Sequence, residues 1–194
     1  MSRTVETYRL PHSPMRSPMP NIESPGTKLL NSWRSLSRFP GGHWLFTRLV
    51  KRMIPYTGSI SPRVEVLEPG FARVSITQTR RLEQHLGSIH AIALANLAEF
   101  TSGSAMITGL PSSYRGIVTS ISIDYLKKAR GTVTAESRVS MPVLAGELDC
   151  DVVAEVRDES LDVVARATAR WRLGPIPETT APEGTRPAAG VAAR

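Results

Sequence analysis

Gln84-His85-Leu86-Gly87-Ser88-Ile89-His90, continuing through Ala91-Ile92-Ala93-Leu94-Ala95-Asn96-Leu97-Ala98-Glu99-Phe100 to Leu110, is the stretch on which the reading of this chain turns. Ile89, Ala93, Leu94, Leu97, Phe100 and Met106 recur close to the helical repeat, which predicts a helix from Ile89 to Thr108, about 30 Å long. Gly87 offers the preceding turn a positive φ, Ser88 offers a helix cap, and Gly109-Leu110-Pro111 ends the run. The segment is apolar nearly all round, so it belongs in the interior with other elements wrapped about it. A membrane span is the competing reading. Asn96, Glu99, Thr101, Ser102 and Ser104 count against it, because polar and ionisable groups are costly in a bilayer core.

Strand-like segments flank this helix. Ser61 to Thr77 reads as two strands about a turn at Glu68-Pro69-Gly70, with Val64, Val66, Val74 and Ile76 alternating. Beyond the helix, Tyr114 to Leu126, Thr132 to Ser140, Glu147 to Val156 and Val163 to Leu173 are further strands joined by short turns, which predicts an antiparallel sheet. The class is therefore α+β, one long buried helix gripped by a curved antiparallel sheet.

This arrangement, and the motif at its centre, resembles the hotdog-fold thioesterases. The likeness is to the branch around the phenylacetate-degradation (PaaI-like) acyl-CoA thioesterases and to a related domain-of-unknown-function group. That family's signature is Asn, a loop with Gly, His-Gly-Gly, and a carboxylate nine residues after the His. Gln84 falls at the Asn, Gly87 at the loop Gly, His90 at the His and Glu99 at the carboxylate, and the resemblance spans roughly residues 27 to 174. Two departures stand out. His-Gly-Gly is His90-Ala91-Ile92 here, so side chains enter where backbone would meet the thioester, and Gln84 and Glu99 are each one methylene longer than the family's residues.

Ahead of the sheet, Leu29, Leu30, Trp33 and Leu36 share a helical face, and a second short helix is predicted over Trp44 to Ile54 before Pro55 breaks it. On that helix Leu45, Phe46, Leu49, Val50 and Met53 gather on one side, and Arg48, Lys51 and Arg52 on the other. Such a basic amphipathic helix either packs its apolar side on the domain, which is the expectation, or makes a membrane surface contact through 44–54. Residues 1–26 and 175–194, rich in Pro and lacking periodicity, are expected to be a disordered arm and tail, leaving a domain over 27–174 that includes the helices of 27–54.

The net charge is +7. Residues 1–55 hold nine Lys+Arg against two Asp+Glu, and 56–194 hold fifteen against fifteen, so the excess lies in the N-terminal part. No helix-turn-helix, zinc-finger or RNP pattern accompanies it, and no nucleic-acid partner is expected. The single cysteine, Cys150, excludes an internal disulfide, fits a reducing compartment and reads as a sheet residue rather than a nucleophile. The opening residues lack the continuous apolar core of a secretory signal, so a cytoplasmic location is expected. Histidines at 12, 43, 85 and 90 have no clustered carboxylates or cysteines around them, so no metal and no cofactor is expected.

Thioester hydrolysis needs a group that polarises the carbonyl and a base or nucleophile beside it. The helix start at His90, with the N–H groups of Ala91 and Ile92, supplies the positive end of a dipole for an oxyanion. Glu99, set among Ala95, Leu97, Ala98 and Phe100, is expected to be desolvated and hence more basic. Nine residues amount to about 900° of rotation and about 13 Å of rise, so His90 and Glu99 face opposite ways and cannot close on one substrate within a single helix. The resemblance implies the same answer: two domains pair, and each site combines the loop and helix start of one copy with the carboxylate of the other. It further implies that Gln84 positions water or the carbonyl and that Glu99 is general base or nucleophile. Glu99 could instead be a structural carboxylate, and Asn96 either orients it or satisfies it. Lys127, Lys128 and Arg130 are placed to meet CoA phosphates or are a solvated turn. The expectation is an acyl-CoA thioesterase acting as a homodimer or homotetramer, the alternative a non-catalytic hotdog module binding an acyl chain or a protein partner.

Overall fold

The computed structural model describes residues 24–177. Three helices come first: α1 (Pro25–Leu36), α2 (Gly42–Met53) and the single turn α3 (Pro55–Gly58). Then follow β1 (Arg63–Glu68), β2 (Phe71–Thr77), the long helix α4 (Ala91–Gly109), β3 (Tyr114–Tyr125), β4 (Thr132–Arg138), β5 (Leu148–Arg157) and β6 (Val163–Pro175). The six strands form one antiparallel sheet in the order β1-β2-β4-β5-β6-β3. After β2 the chain leaves one side of the sheet, runs through α4 and re-enters at the far edge as β3. That crossover lays α4 along the sheet's inner face.

The inner face is built from alternate residues, as the pleat requires: Val74 and Ile76 on β2, Val133 and Ala135 on β4, Ala154 and Val156 on β5, Ala165 and Ala167 on β6, all buried. Four of these eight are alanines, whose short side chains let α4 approach the strands, and Leu94, Leu97, Phe100 and Met106 of that helix are buried. Each Leu, Phe or Met so buried contributes about 1.5–3 kcal/mol relative to exposure.

Of the polar residues that argue against a membrane span, Thr101 and Ser102 are buried in α4 and satisfied from within the helix, as is Thr108. Thr101 Oγ1 donates to the Leu97 carbonyl at 2.7 Å, Ser102 Oγ to that of Glu99 at 2.9 Å and Thr108 Oγ1 to that of Ser104 at 2.8 Å. Thr108 Oγ1 also lies 2.9 Å from the Glu68 carbonyl and accepts from the Gly70 N–H at 3.3 Å, so the end of α4 is tied to the β1–β2 turn. Among the described residues no helix is long and apolar enough to cross a membrane.

The outer face is lined by cross-strand ion pairs. Arg170 meets Asp151, Arg172 meets Asp149, Arg166 meets Glu155 and Arg73 meets Glu136. These pairs hold the carboxyls of Asp149, Asp151 and Glu155 below the ordinary range, hydrogen bonding from arginine being the main cause in each. One face of the sheet is thus core and the other solvated.

Several expectations need correction. The first helix begins at Pro25, two residues early, because Ser24 Oγ caps it by accepting from the Thr27 N–H at 3.1 Å and proline is well suited to the first helical turn. The second begins at Gly42, and the residues after Pro55 make one further helical turn. His90, not Ser88, caps α4. On α2 only Phe46 and Val50 of the apolar set are buried against the domain, while Leu45, Leu49 and Met53 stay exposed, as does Trp44. Apart from 24–26 and 175–177, the expected arm and tail lie outside the described residues.

Candidate active site

The loop before α4 is a compact turn. The Gln84 N–H donates to the Ser88 carbonyl at 2.9 Å, and the Gly87 N–H to the Gln84 carbonyl at 3.0 Å. Gly87 takes φ +65°, the left-handed conformation that a glycine adopts without strain. Leu82 and Ile89 are buried anchors, and the backbone N–H groups of Ile89 and His90 donate to the carbonyls of Ala129 at 2.9 Å and Leu82 at 2.7 Å. Side chains complete the turn. Gln84 Nε2 donates to Ser88 Oγ at 2.8 Å, and Arg130 Nε to the Gly87 carbonyl at 3.1 Å.

The start of α4 follows from where its first N–H groups go. Ile92 N–H donates to His90 Nδ1 at 3.1 Å, and the N–H groups of Ala93 and Leu94 both donate to the His90 carbonyl. Among the described residues nothing accepts from the Ala91 N–H. One unpaired donor therefore remains at the positive end of the helix. Ala91 also faces a cleft of about 320 Å³, lined on one side by Gln84, Ser88, Ile89 and Leu94 and on the other by residues 125–129. Tyr125 Oη donates to the Ala91 carbonyl at 3.0 Å across it, and burial pushes the Tyr125 phenol up.

Glu99 lies on α4 away from this cleft. Its half-buried carboxyl has no hydrogen-bond or ion-pair partner among the described residues, and desolvation raises it above the ordinary 4.5. A Cβ at Gly103 would stand 3.9 Å from Glu99 Oε1 and 3.4 Å from Trp171 Cζ2, so carboxylate and indole share the space that this glycine leaves open. The Trp171 Nε1 is buried with no partner among the described residues. Asn96 does not reach Glu99: its buried amide donates to the Tyr56 carbonyl at 3.5 Å, on the side of α3.

The sequence-predicted residues thus separate into two places. Gln84, Ala91, Lys127 and Lys128 meet around the cleft, with Gly87 and His90 in the loop behind it and Arg130 reaching that loop from the β3–β4 connection. Ile92 is exposed beside them. Glu99 stands alone, the better part of three turns along α4. The three basic residues are not equivalent. Lys127 Nζ is held by Asp158 at 2.7 Å and Asp162 at 2.6 Å, which neutralise it and raise its pKa, whereas Lys128 is exposed with no partner among the described residues. Tyr125 and Trp171 escaped sequence reading because an aromatic in an alternating strand looks like core, and no local pattern tells which ring borders a site. Burial, aided by Asp151, pushes the Cys150 thiol up, which suits a structural residue. No cluster of three or more potential metal ligands occurs among the described residues.

Comparison with known proteins gives the same architecture. A structural-genomics protein, APC5556, superposes with a TM-score of 0.68 at 26% identity, covering 78% of this chain and 99% of its own. PA5026 from Pseudomonas aeruginosa, described as a probable thioesterase, superposes with a TM-score of 0.62 at 26% identity over 71% of this chain and 97% of its own. The thioesterase HI1161 from Haemophilus influenzae shares the fold at 16% identity, with a TM-score of 0.55 over 64% of this chain and 85% of its own. No curated protein matches the chain. A family model described as a domain of unknown function, DUF4442, matches residues 42–173. With more than half of its length so matched, and with a sheet wrapped on one long helix as in these neighbours, the chain belongs to the DUF4442 family and carries the hotdog fold of the thioesterase superfamily.

Proposed function

We propose that this protein hydrolyses acyl-CoA thioesters at a site shared between two copies of the chain. The observation that carries the reading is the desolvated Glu99, without a partner among the described residues, set on the same helix as a free N–H at Ala91 but about 12 Å along it. Neither half suffices alone. In the shared site the Ala91 N–H, at the helix start, receives the developing oxyanion, and Gln84 positions the carbonyl or the attacking water. Glu99 of the second copy is the base that activates water, or the nucleophile. Lys128, with Arg130 behind it, is free to meet the CoA phosphates, a role for which Lys127 is already neutralised. The wide β3 edge is where the second copy joins.

Capping of the Ile92 N–H by His90 supports a second reading, a module that binds acyl chains without hydrolysing them, since it leaves a single donor where an oxyanion would want two. Free-thiol release from a panel of acyl-CoAs separates the two: turnover with any member supports the enzyme, and binding without turnover supports the module. Within the first reading, Glu99→Gln and Gln84→Ala should each lower kcat by ~10²-fold or more. Mixed dimers of the two variants should regain up to half of wild-type activity, because one of their two sites is intact. Verified mixed dimers that stay inactive would exclude the shared arrangement.

A further inference from the structure

The face that α2 turns to solvent is not accounted for by a site at α4. Leu45, Leu49 and Met53 fall four residues apart and form one exposed row along the helix, with Met53 74% exposed. Arg48 and Arg52 form the adjacent row, and Trp44, 66% exposed, lies beyond them with the Arg48 guanidinium 5.7 Å from its ring centroid. Phe39 before the helix and Ile54 and Tyr56 after it extend the apolar surface at both ends. Single exposed apolar residues are ordinary on a protein surface, but a continuous row beside cations is not. The buried side of α2 is anchored independently by Phe46 and Val50, with Phe46 edge-on to Trp33 at 5.1 Å, so the exposed row is not needed to hold the helix in place.

Charge indicates what covers it. Residues 24–64 contain seven cations, Lys28, Arg34, Arg38, Arg48, Lys51, Arg52 and Arg63, and no Asp or Glu. None of the seven forms an ion pair among the described residues, whereas the arginines of the outer sheet face are matched by carboxylates. A second copy of this surface would set cation against cation. We infer that the exposed face of α2 docks on an anionic lipid bilayer, with Leu45, Leu49, Met53 and Trp44 entering the interface and Arg48, Lys51 and Arg52 meeting the headgroups. The helix lies on the surface rather than across it, its 12 residues being about 18 Å long.

Co-sedimentation of the full chain with vesicles tests this, using phosphatidylcholine alone and phosphatidylcholine with one third phosphatidylserine. Binding to the anionic vesicles only is expected, and it should fall as salt shortens the Debye length. Arg48→Gln with Arg52→Gln should weaken it about fivefold per charge removed. Met53→Glu should weaken it too, while its thermal midpoint stays near that of the parent because the residue is exposed. Failure to bind anionic vesicles at low salt would overturn the proposal, as would undiminished binding by both variants. So would a concentration-dependent rise in mass that Met53→Glu abolishes, which would give the face to a second copy. Thiol release measured without lipid reports on the active site separately, so a negative result in one assay leaves the other intact.

Discussion

Glu99 shows how surroundings alter the proton affinity of one carboxylate. It is the one charged residue of α4, half-buried beside the Trp171 ring, and among the described residues no neighbour compensates its charge. Desolvation therefore favours the protonated form and raises its pKa from 4.5. Two consequences follow with definite sign. The folded state holds this proton more tightly than the unfolded chain does, so the stabilising contribution is full below the ordinary value and is lost as pH rises through the raised one. Asp149, Asp151 and Glu155, whose pKa values are lowered, contribute in the opposite sense, so the comparison has to be made against a variant of Glu99 alone. Urea unfolding of the parent and of Glu99→Gln at acidic and at neutral pH should show the variant equal at acidic pH and more stable at neutral pH. If Glu99 is the base, the rising limb of kcat against pH should also lie above that of an ordinary glutamate.

At the scale of elements, α4 is held by close approach as much as by apolar burial. A Cβ at Gly26 would come within 2.0 Å of the Ile107 carbonyl oxygen, a backbone atom that cannot swing aside. Gly26→Ala should therefore lift α1 from α4 and cost about 1–3 kcal/mol, more than the roughly 1 kcal/mol gained in helix propensity. Gly103 is the contrasting case. A methyl group there meets Trp171 Cζ2 at 3.4 Å, an ordinary contact, so Gly103→Ala should be neutral or stabilising by up to about 1 kcal/mol. Denaturant midpoints of the two variants should move in opposite directions, and movement in the same direction would show that propensity rather than helix contact decides.

For the whole molecule the decisive feature is the open edge of β3. Among the described residues this strand of 12 residues pairs only with β6, and its other edge offers backbone groups unpaired there beside Ile117, 67% exposed, and Ile121. A long edge of this kind is an aggregation hazard unless another strand covers it. Pairing with β3 of a second copy would cover it and bring two α4 helices into one assembly, as the proposed shared site requires. Ile117→Lys with Ile121→Lys should then reduce the particle to a single chain in sedimentation and abolish thiol release together. A single-chain particle that remained active would show that each domain carries a complete site.

Much of this architecture was legible in the sequence because it is written in local periodicity. The twofold alternation of β2, β4 and β6 and the near-continuous apolar run of α4 each follow from how side chains project from an extended or helical backbone. Gly87 could be placed in a turn, and His90 and Glu99 on opposite faces, from conformational freedom and residue spacing alone. What depended on contacts between distant segments was not legible. His90 rather than Ser88 became the cap because the chain enters α4 through the bonds to Leu82 and Ala129. Lys127 was drawn to Asp158 and Asp162, more than thirty residues away, and Asn96 to Tyr56 rather than to Glu99. The apolar side of α2 was split, Phe46 and Val50 inward and Leu45, Leu49 and Met53 outward, because helix packing fixes a rotation that amphipathicity leaves free over tens of degrees. Sequence determined the elements and, α2 apart, their buried faces; tertiary structure alone decided which partners their polar groups would find, since hydrogen bonds and ion pairs act at distances that only the folded chain sets.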